Sequence, residues 1–282
     1  MFRTVLFYLL LIFGFVAQAQ ITCTSKDSTL FYSKLKDIQK IEEEATGNTI
    51  VSIGKTFLGI PYVEKTLEVG ETETLVVNLR GLDCTTFVEN VVAFGLLHKN
   101  QQYEFTDFTK NLQTIRYRNG ELNGYPSRLH YFTEWIRNNE QKGLVMDVTS
   151  KLGGVETKKA INFMGTHRKL YPFLKQNDNY NAILEVEKMI AEENLCILPQ
   201  HQIKQNESLI QSGDIIALAT SIKGLDVTHT GIAIRQPNGR IHLLHASSSG
   251  SVMITEEPLV DYLKKIKNNI GIIVARPVLI PS

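Results

Sequence analysis

Apolar residues change their spacing along the chain, and the change falls near residue 213. Between 28 and 115 they recur at helical intervals, as in Leu30, Phe31, Leu35, Ile38 and Ile41, so this stretch is predicted mainly helical. A short extended run, Leu75 to Leu79, interrupts it. Phe87, Val88, Val91, Val92, Phe94 and Leu96 then cover most of a helix's circumference, the mark of a helix buried nearly all round. Residues 116 to 208 are mixed, aromatic and charged, with helices expected at 127–139 and 180–194. Beyond 213 the runs are short, β-branched and bounded by turn residues: Asp214 to Ala219, His229 to Arg235, Arg240 to Ala246, Val252 to Thr255 and Ile270 to Arg276. A helix from Pro258 to Lys267 interrupts them, with proline in the first turn, where its missing N–H leaves no hydrogen bond unmade. Helices first and a largely antiparallel sheet afterwards is an α+β plan.

The first residues stand apart. Arg3 is followed by an apolar run from Val5 to Val16, broken only by Gly14, and by Ala17-Gln18-Ala19, a small-x-small cleavage site. That is the layout of a secretory leader, and the run is shorter than the roughly 18 residues of a spanning helix. The chain is therefore expected to be exported, to a periplasm, as residues 20–282 without stable membrane insertion. The 30 basic and 29 acidic residues become 29 of each once Arg3 is removed, so electrostatics give no case for nucleic acid. No repeat or low-complexity linker divides the mature chain, and one domain is expected. Three cysteines leave at least one thiol without an intramolecular partner, and Cys23 and Cys196 could pair. None has metal-type spacing, and no metal or other cofactor is expected. Gly54-Lys55-Thr56 mimics the end of a P-loop, but Thr49 stands where the first glycine is needed. Serine-hydrolase elbow, zinc-protease and dinucleotide motifs are absent.

Cys84 is the cysteine whose neighbours suggest chemistry. Asp83 is a good N-cap, so Cys84 opens a helix, where unpaired N–H groups and the helix dipole favour the thiolate. A low pKa and an accessible thiol are expected. Most free cysteines, however, are small buried hydrophobes. His229 opens a later strand, Thr228-His229-Thr230-Gly231-Ile232, and can serve as the base that takes the thiol proton. A third group should orient that imidazole. The next strand offers His242 and His245. A three-residue turn, Pro237-Asn238-Gly239, places His245 on the face of His229; a two-residue turn would reverse the parity and favour His242. The reading here is His245, supported in part by the resemblance that follows.

Asp83-Cys84-Thr85-Thr86-Phe87-Val88 resembles the nucleophile motif of the NlpC/P60 cell-wall cysteine hydrolases. His229-Thr230-Gly231-Ile232 is similar to their histidine strand, His245-Ala246-Ser247 to their third element, Gly213-Asp214-Ile215 to the strand before the histidine, and Gly59-Ile60-Pro61-Tyr62 to the segment whose tyrosine lines the pocket. Thr86 replaces a usual glycine, and residues 98 to 208 form an extra block. In both respects the chain resembles the DUF1460 branch, whose hallmarks include Leu82 to Asn90 and an Arg128-Leu129-His130-Tyr131 helix. The resemblance implies a papain-like core, with the nucleophile helix packed on an antiparallel sheet and a large helical or mixed insertion. It also implies N-acetylmuramoyl-L-alanine amidase activity on muropeptides, especially soluble 1,6-anhydro-MurNAc peptides. Tyr62, Asp83, Arg128, His130 and Tyr131 are the substrate-binding candidates. Aromatic and basic groups between 125 and 135 suit a sugar face and a peptide carboxylate; the plainer reading puts Phe132, Trp135 and Ile136 in the core with Arg128 and His130 solvated. A γ-D-Glu-diaminopimelate endopeptidase and a catalytically silent muropeptide-binding protein are the alternatives, with an acyltransferase or transglutaminase a lesser one. The Cys84, His229 and His245 set favours catalysis, because a pure binder has no need of all three.

Overall fold

A computed structural model describes residues 20–42 and 45–279; the leader expected over 1–19 lies outside the described residues. The first half is helical, as the spacing predicts: α1 (Ser25–Ile38), α2 (Thr46–Lys55), α3 (Cys84–Lys99) and α4 (Phe105–Arg116). The middle adds α5 (Phe132–Gln141), α6 (Phe163–Thr166), α7 (Asn177–Ala191) and α8 (Ile203–Asn206), and α9 (Leu259–Lys264) comes late. Two short parallel strands, β1 (Ile21–Thr22) and β2 (Leu75–Val76), tie the start of the described chain beside the approach to α3.

The main sheet has eight strands, and every pairing in it is antiparallel. Its members are β3 (Val145–Asp147), β4 (Val155–Thr157), β5 (Leu195–Pro199), β6 (Ile215–Thr220), β7 (Val227–Arg235), β8 (Ile241–Ala246), β9 (Val252–Ile254) and β10 (Asn269–Pro277). They lie in the order β4-β5-β10-β6-β7-β8-β9, with β3 also on β10. Residues 98 to 208 thus extend the same sheet through β3, β4 and β5. The molecule is a mixed α+β fold.

Both sheet faces are covered. On one, Ile232, Ile234 and Leu244 join a core with α1 to α4 that includes Phe31, Phe87, Val91, Val92 and Phe94. On the other, Leu218, Ala233 and Leu243 pack with Leu259, Val260 and Leu263 of α9. Every residue of α3 from Thr86 to Leu97 is buried, which makes this helix a rigid platform. Its buried Glu89 carboxylate is held by Arg116 at 2.7 Å, each side chain 2% exposed. Arg116 also donates to the Val76 carbonyl at 2.7 Å.

The structure corrects one local expectation. Arg128 to Tyr131 are not helical: a 3₁₀ turn, Tyr125–Ser127, is followed by extended chain at Arg128, which bridges to Tyr117, and α5 begins at Phe132. The physical reason lies far away in sequence. No local side chain caps α5; instead the Asp226 carboxylate, just before β7, accepts from the Thr133 N–H and hydroxyl, both at 2.8 Å. The helix starts where that acceptor sits.

Candidate active site

The site forms where the start of α3 meets β7. Asp83 caps α3 reciprocally: its Oδ1 accepts from the Thr86 N–H at 2.8 Å, and the Thr86 hydroxyl accepts from the Asp83 N–H at 2.9 Å. Cys84 follows as the first helical residue, half-buried. Its thiol is pushed up to about 11, by burial first and then by the Asp83 carboxylate; the nearby Thr230 N–H and hydroxyl and the Thr85 hydroxyl pull the other way. The low-pKa thiol expected from the helix end is not what this environment gives. A helix terminus contributes typically about 0.3–1 kcal/mol, less than the roughly 1.4 kcal/mol of one tenfold step in ionisation, so it cannot offset desolvation and an adjacent carboxylate. The Thr230 hydroxyl is buried and makes no full hydrogen bond to a described group, which leaves its polarity to the neighbouring sulfur.

A bulge precedes His229. Leu218 pairs with His229 but Ala219 with Val227, so Thr228 is the extra residue, exposed, and the strand is re-aimed at the histidine. The β7–β8 turn has the odd length that the sequence suggests. Arg235 pairs with Ile241 and Ile234 with His242; the loop closes with Gln236 N–H to the Arg240 carbonyl at 2.9 Å, and Gly239 takes φ +80°. His245 therefore shares the face of His229, and His229 Nε2 lies 2.6 Å from His245 Nδ1. His242 points to the opposite face, where its Nδ1 lies 2.8 Å from the Thr255 carbonyl.

Gly231 is what allows the two histidines to approach. A Cβ there would lie 2.9 Å from the Cβ of His245 and 2.8 Å from Leu243 Cδ1. Burial lowers His245 to about 4, and burial together with His245 lowers His229 to about 3, so both rings are neutral near pH 7. The direction of this bond is set by the tautomers of the two rings; with His229 donating through Nε2, its Nδ1 keeps the lone pair able to accept a proton.

Tyr62 is stitched into the same place. Its N–H donates to the Gly250 carbonyl at 2.8 Å, and the Val63 N–H donates to the Leu82 carbonyl at 3.0 Å, so it lies between the β9 end of the sheet and the start of α3. Burial, then Cys84 and Asp83, hold its phenol up at about 12, a donor at any working pH.

The other three binding candidates are committed elsewhere. Arg128 is 7% exposed, 3.5 Å from Glu73 and 3.8 Å from Glu68, over the Tyr125 ring. His130 Nε2 meets the Tyr125 carbonyl at 2.9 Å, and burial holds its pKa well below the ordinary range. Tyr131 donates to Glu187 at 2.7 Å and accepts from the Met164 N–H at 2.8 Å. Among the described residues, no cluster of three or more His, Cys, Asp or Glu side chains could hold a metal ion. Cys23 and Cys196 are free thiols.

A family model described as AmiA-like, N-acetylmuramoyl-L-alanine amidase-like, matches residues 52–272. An N-acetylmuramoyl-L-alanine amidase from Bacteroides uniformis ATCC 8492 is 36% identical, with a TM-score of 0.78 over 83% of this chain and 99% of that one. A Bacteroides fragilis protein provisionally named a xylanase is 41% identical, with a TM-score of 0.74 over 79% of this chain and 98% of that one. A DUF1460 protein from Legionella pneumophila shares the fold, with a TM-score of 0.68 at 22% identity over 89% of this chain and 95% of that one. No curated protein matches the chain.

Proposed function

The chain belongs to the AmiA-like family of N-acetylmuramoyl-L-alanine amidase-like proteins, and on that premise we propose that it is an exported cysteine amidase of the NlpC/P60 type. It cleaves the bond between the lactyl carbonyl of N-acetylmuramic acid and L-alanine, in soluble 1,6-anhydro-MurNAc peptides of cell-wall turnover. The observation that carries the reading is the proximity of the Cys84 helix end to Thr230, the residue next to His229 on β7, together with the 2.6 Å His229–His245 pair. A xylanase reading would need two carboxyl groups across a glycosidic bond; here the groups are a thiol and two imidazoles, and the adjacent Asp83 is occupied in the helix cap.

The reaction starts from a neutral thiol and a neutral imidazole. Burial disfavours a lone thiolate and a lone imidazolium alike, so proton transfer accompanies attack. As the sulfur bonds to the lactyl carbonyl carbon, His229 Nδ1 takes the thiol proton. His245 Nδ1 accepts from His229 Nε2–H and stabilises the imidazolium that forms. The first N–H groups of α3 lack intrahelical partners and, with the Tyr62 hydroxyl, face the developing oxyanion. Collapse breaks the C–N bond, and His229 gives its proton to the leaving L-alanine nitrogen. Water, deprotonated by His229, then attacks the thioester; the C–S bond breaks and the thiol regains its proton. Tyr62 contacts substrate, whereas Arg128, His130 and Tyr131 are held by internal partners.

The test is intact-protein mass spectrometry of a rapidly quenched reaction. It should find the muramoyl acyl group on the wild-type chain and none on Cys84→Ala. A Cys84→Ala variant that still turns over muropeptide would end the cysteine mechanism.

A further inference from the structure

A second tyrosine stands beside the His229–His245 pair, and nothing in the chain's sequence marks it. Helix α9 sends Leu259, Val260 and Leu263 into the apolar layer on the face of the sheet that carries Leu243. His245, two residues further along β8, lies on that face too. Tyr262 falls at the edge of this layer, half-buried. Its ring meets the His245 imidazole edge-on, centroids 5.5 Å apart at 69°. His229 meets the same imidazole at 4.8 Å and 89°. The orienting histidine is thus held between the base and Tyr262.

The hydroxyl of Tyr262 has a different character from its ring. It makes no hydrogen bond to another described residue. It lies within electrostatic reach of Cys84 and Glu257; burial first, then these two, keep the phenol protonated. Tyr62 feels the same sulfur from the loop after α2. Two phenols on separate elements therefore lie within electrostatic reach of the thiol, and each remains a donor at working pH.

We propose that Tyr262 contacts the substrate: its hydroxyl donates a hydrogen bond to an oxygen of the acyl group seated at Cys84, while its ring backs His245. The ligand class is an amino-sugar peptide rich in carbonyl, carboxylate and hydroxyl oxygens, and its identity rests on the amidase reading above. A half-buried hydroxyl with no internal partner is one that the bound substrate can satisfy. Such a bond acts directly on binding and turnover, whereas the ring acts through His245.

Two variants separate these roles. Tyr262→Phe keeps the ring and removes the donor; Tyr262→Leu removes both. For each, three quantities are measured: kcat/KM on a 1,6-anhydro-MurNAc tetrapeptide, the concentration of that muropeptide that half-protects Cys84 from iodoacetamide, and the alkylation rate without ligand. For Tyr262→Phe we expect kcat/KM to fall, and the half-protecting concentration to rise, by roughly three- to tenfold, with the ligand-free alkylation rate unchanged. Tyr262→Leu should in addition slow ligand-free alkylation, because His245 loses its backing. Wild-type kcat/KM and protection in Tyr262→Phe would overturn the proposal, as would a fall confined to ligand-free alkylation. A wild-type chain protected by the muropeptide yet unable to cleave it would refute the amidase reading alone, and the protection data would still decide the role of Tyr262.

Discussion

Replacing Gly231 with alanine strains the one contact that lets the two histidines meet. The new Cβ would lie 2.8 Å from Leu243 Cδ1 and 2.9 Å from His245 Cβ, whereas carbon pairs pack best at about 3.5–4.0 Å. Leu243 can rotate its side chain away. His245 cannot, because its Cβ is fixed to a strand paired on both sides, with β7 through Leu243 and Leu244 and with β9 through Leu244 and His245. Relief therefore requires β8 to shift by roughly 0.6 Å. Added to the present 2.6 Å between His229 Nε2 and His245 Nδ1, that shift takes the pair to the edge of hydrogen-bonding distance. Overpacking should lower stability by about 1–3 kcal/mol. Misplacement on the scale of 1 Å costs on the order of a hundredfold in rate, so kcat/KM should fall by roughly ten- to a hundredfold while the chain still folds. Urea unfolding and steady-state turnover of an anhydro-muropeptide measure the two effects, and Gly231→Ala in a Leu243→Ala background separates the two clashes. Full activity in Gly231→Ala, or its recovery in the double variant, would show that the His245 contact does not set the catalytic geometry.

Alkylation of Cys84 by iodoacetamide should rise about tenfold per pH step with no plateau below pH 9, because its thiol is pushed up to about 11; a plateau near neutrality would mean a stable thiolate–imidazolium pair instead. Asp83→Asn should move that rise to lower pH, since asparagine still caps the helix and the neighbouring negative charge is gone; an unmoved profile would exonerate Asp83. His245 sits at about 4 against an ordinary 6.5, so the fold favours its neutral form; this stabilisation is complete above pH 6.5 and is lost as pH falls from there towards 4. Unfolding curves of His245→Gln should accordingly decline less steeply over that window than wild type, and identical slopes would contradict the shift. Arg116→Met leaves Glu89 buried without its cation and should cost about 3–5 kcal/mol at pH 7, less at low pH where the carboxyl, raised by burial, takes up a proton; a pH-independent loss under 1 kcal/mol would refute the pairing.

Parts of this site are legible in the sequence because local rules determine them. A three-residue turn at 237–239 sets the parity of the hairpin, and parity alone separates His245 from His242. Asp83 before an all-round apolar run places Cys84 at a helix start. Other parts depend on contacts between distant segments. The Arg128 to Tyr131 stretch reads as helix because the capping acceptor, Asp226, comes from the loop before β7, nearly a hundred residues later. Arg128 reads as a ligand for a carboxylate, and it does meet carboxylates, but they are the chain's own Glu68 and Glu73. The thiol reads as acidic because a sequence exposes the helix dipole and hides desolvation. Tyr262 carries no signal in a six-residue helix; only the folded sheet brings it to His245. Thr230 lies inside a recognisable motif, yet its contact with the sulfur follows from the packing of α3 on β7.

The bond that is cut is the most direct measure of function. A purified 1,6-anhydro-MurNAc tetrapeptide and the free tetrapeptide are incubated separately with the wild-type chain and with Cys84→Ala, and the products are identified by mass spectrometry. We expect the wild-type chain to release an intact stem peptide beginning with L-alanine, together with the anhydro-amino-sugar fragment, and to leave the free tetrapeptide whole; Cys84→Ala should cleave neither substrate. Cleavage of the free tetrapeptide between D-glutamate and diaminopimelate, with the sugar–peptide bond untouched, would contradict the amidase assignment.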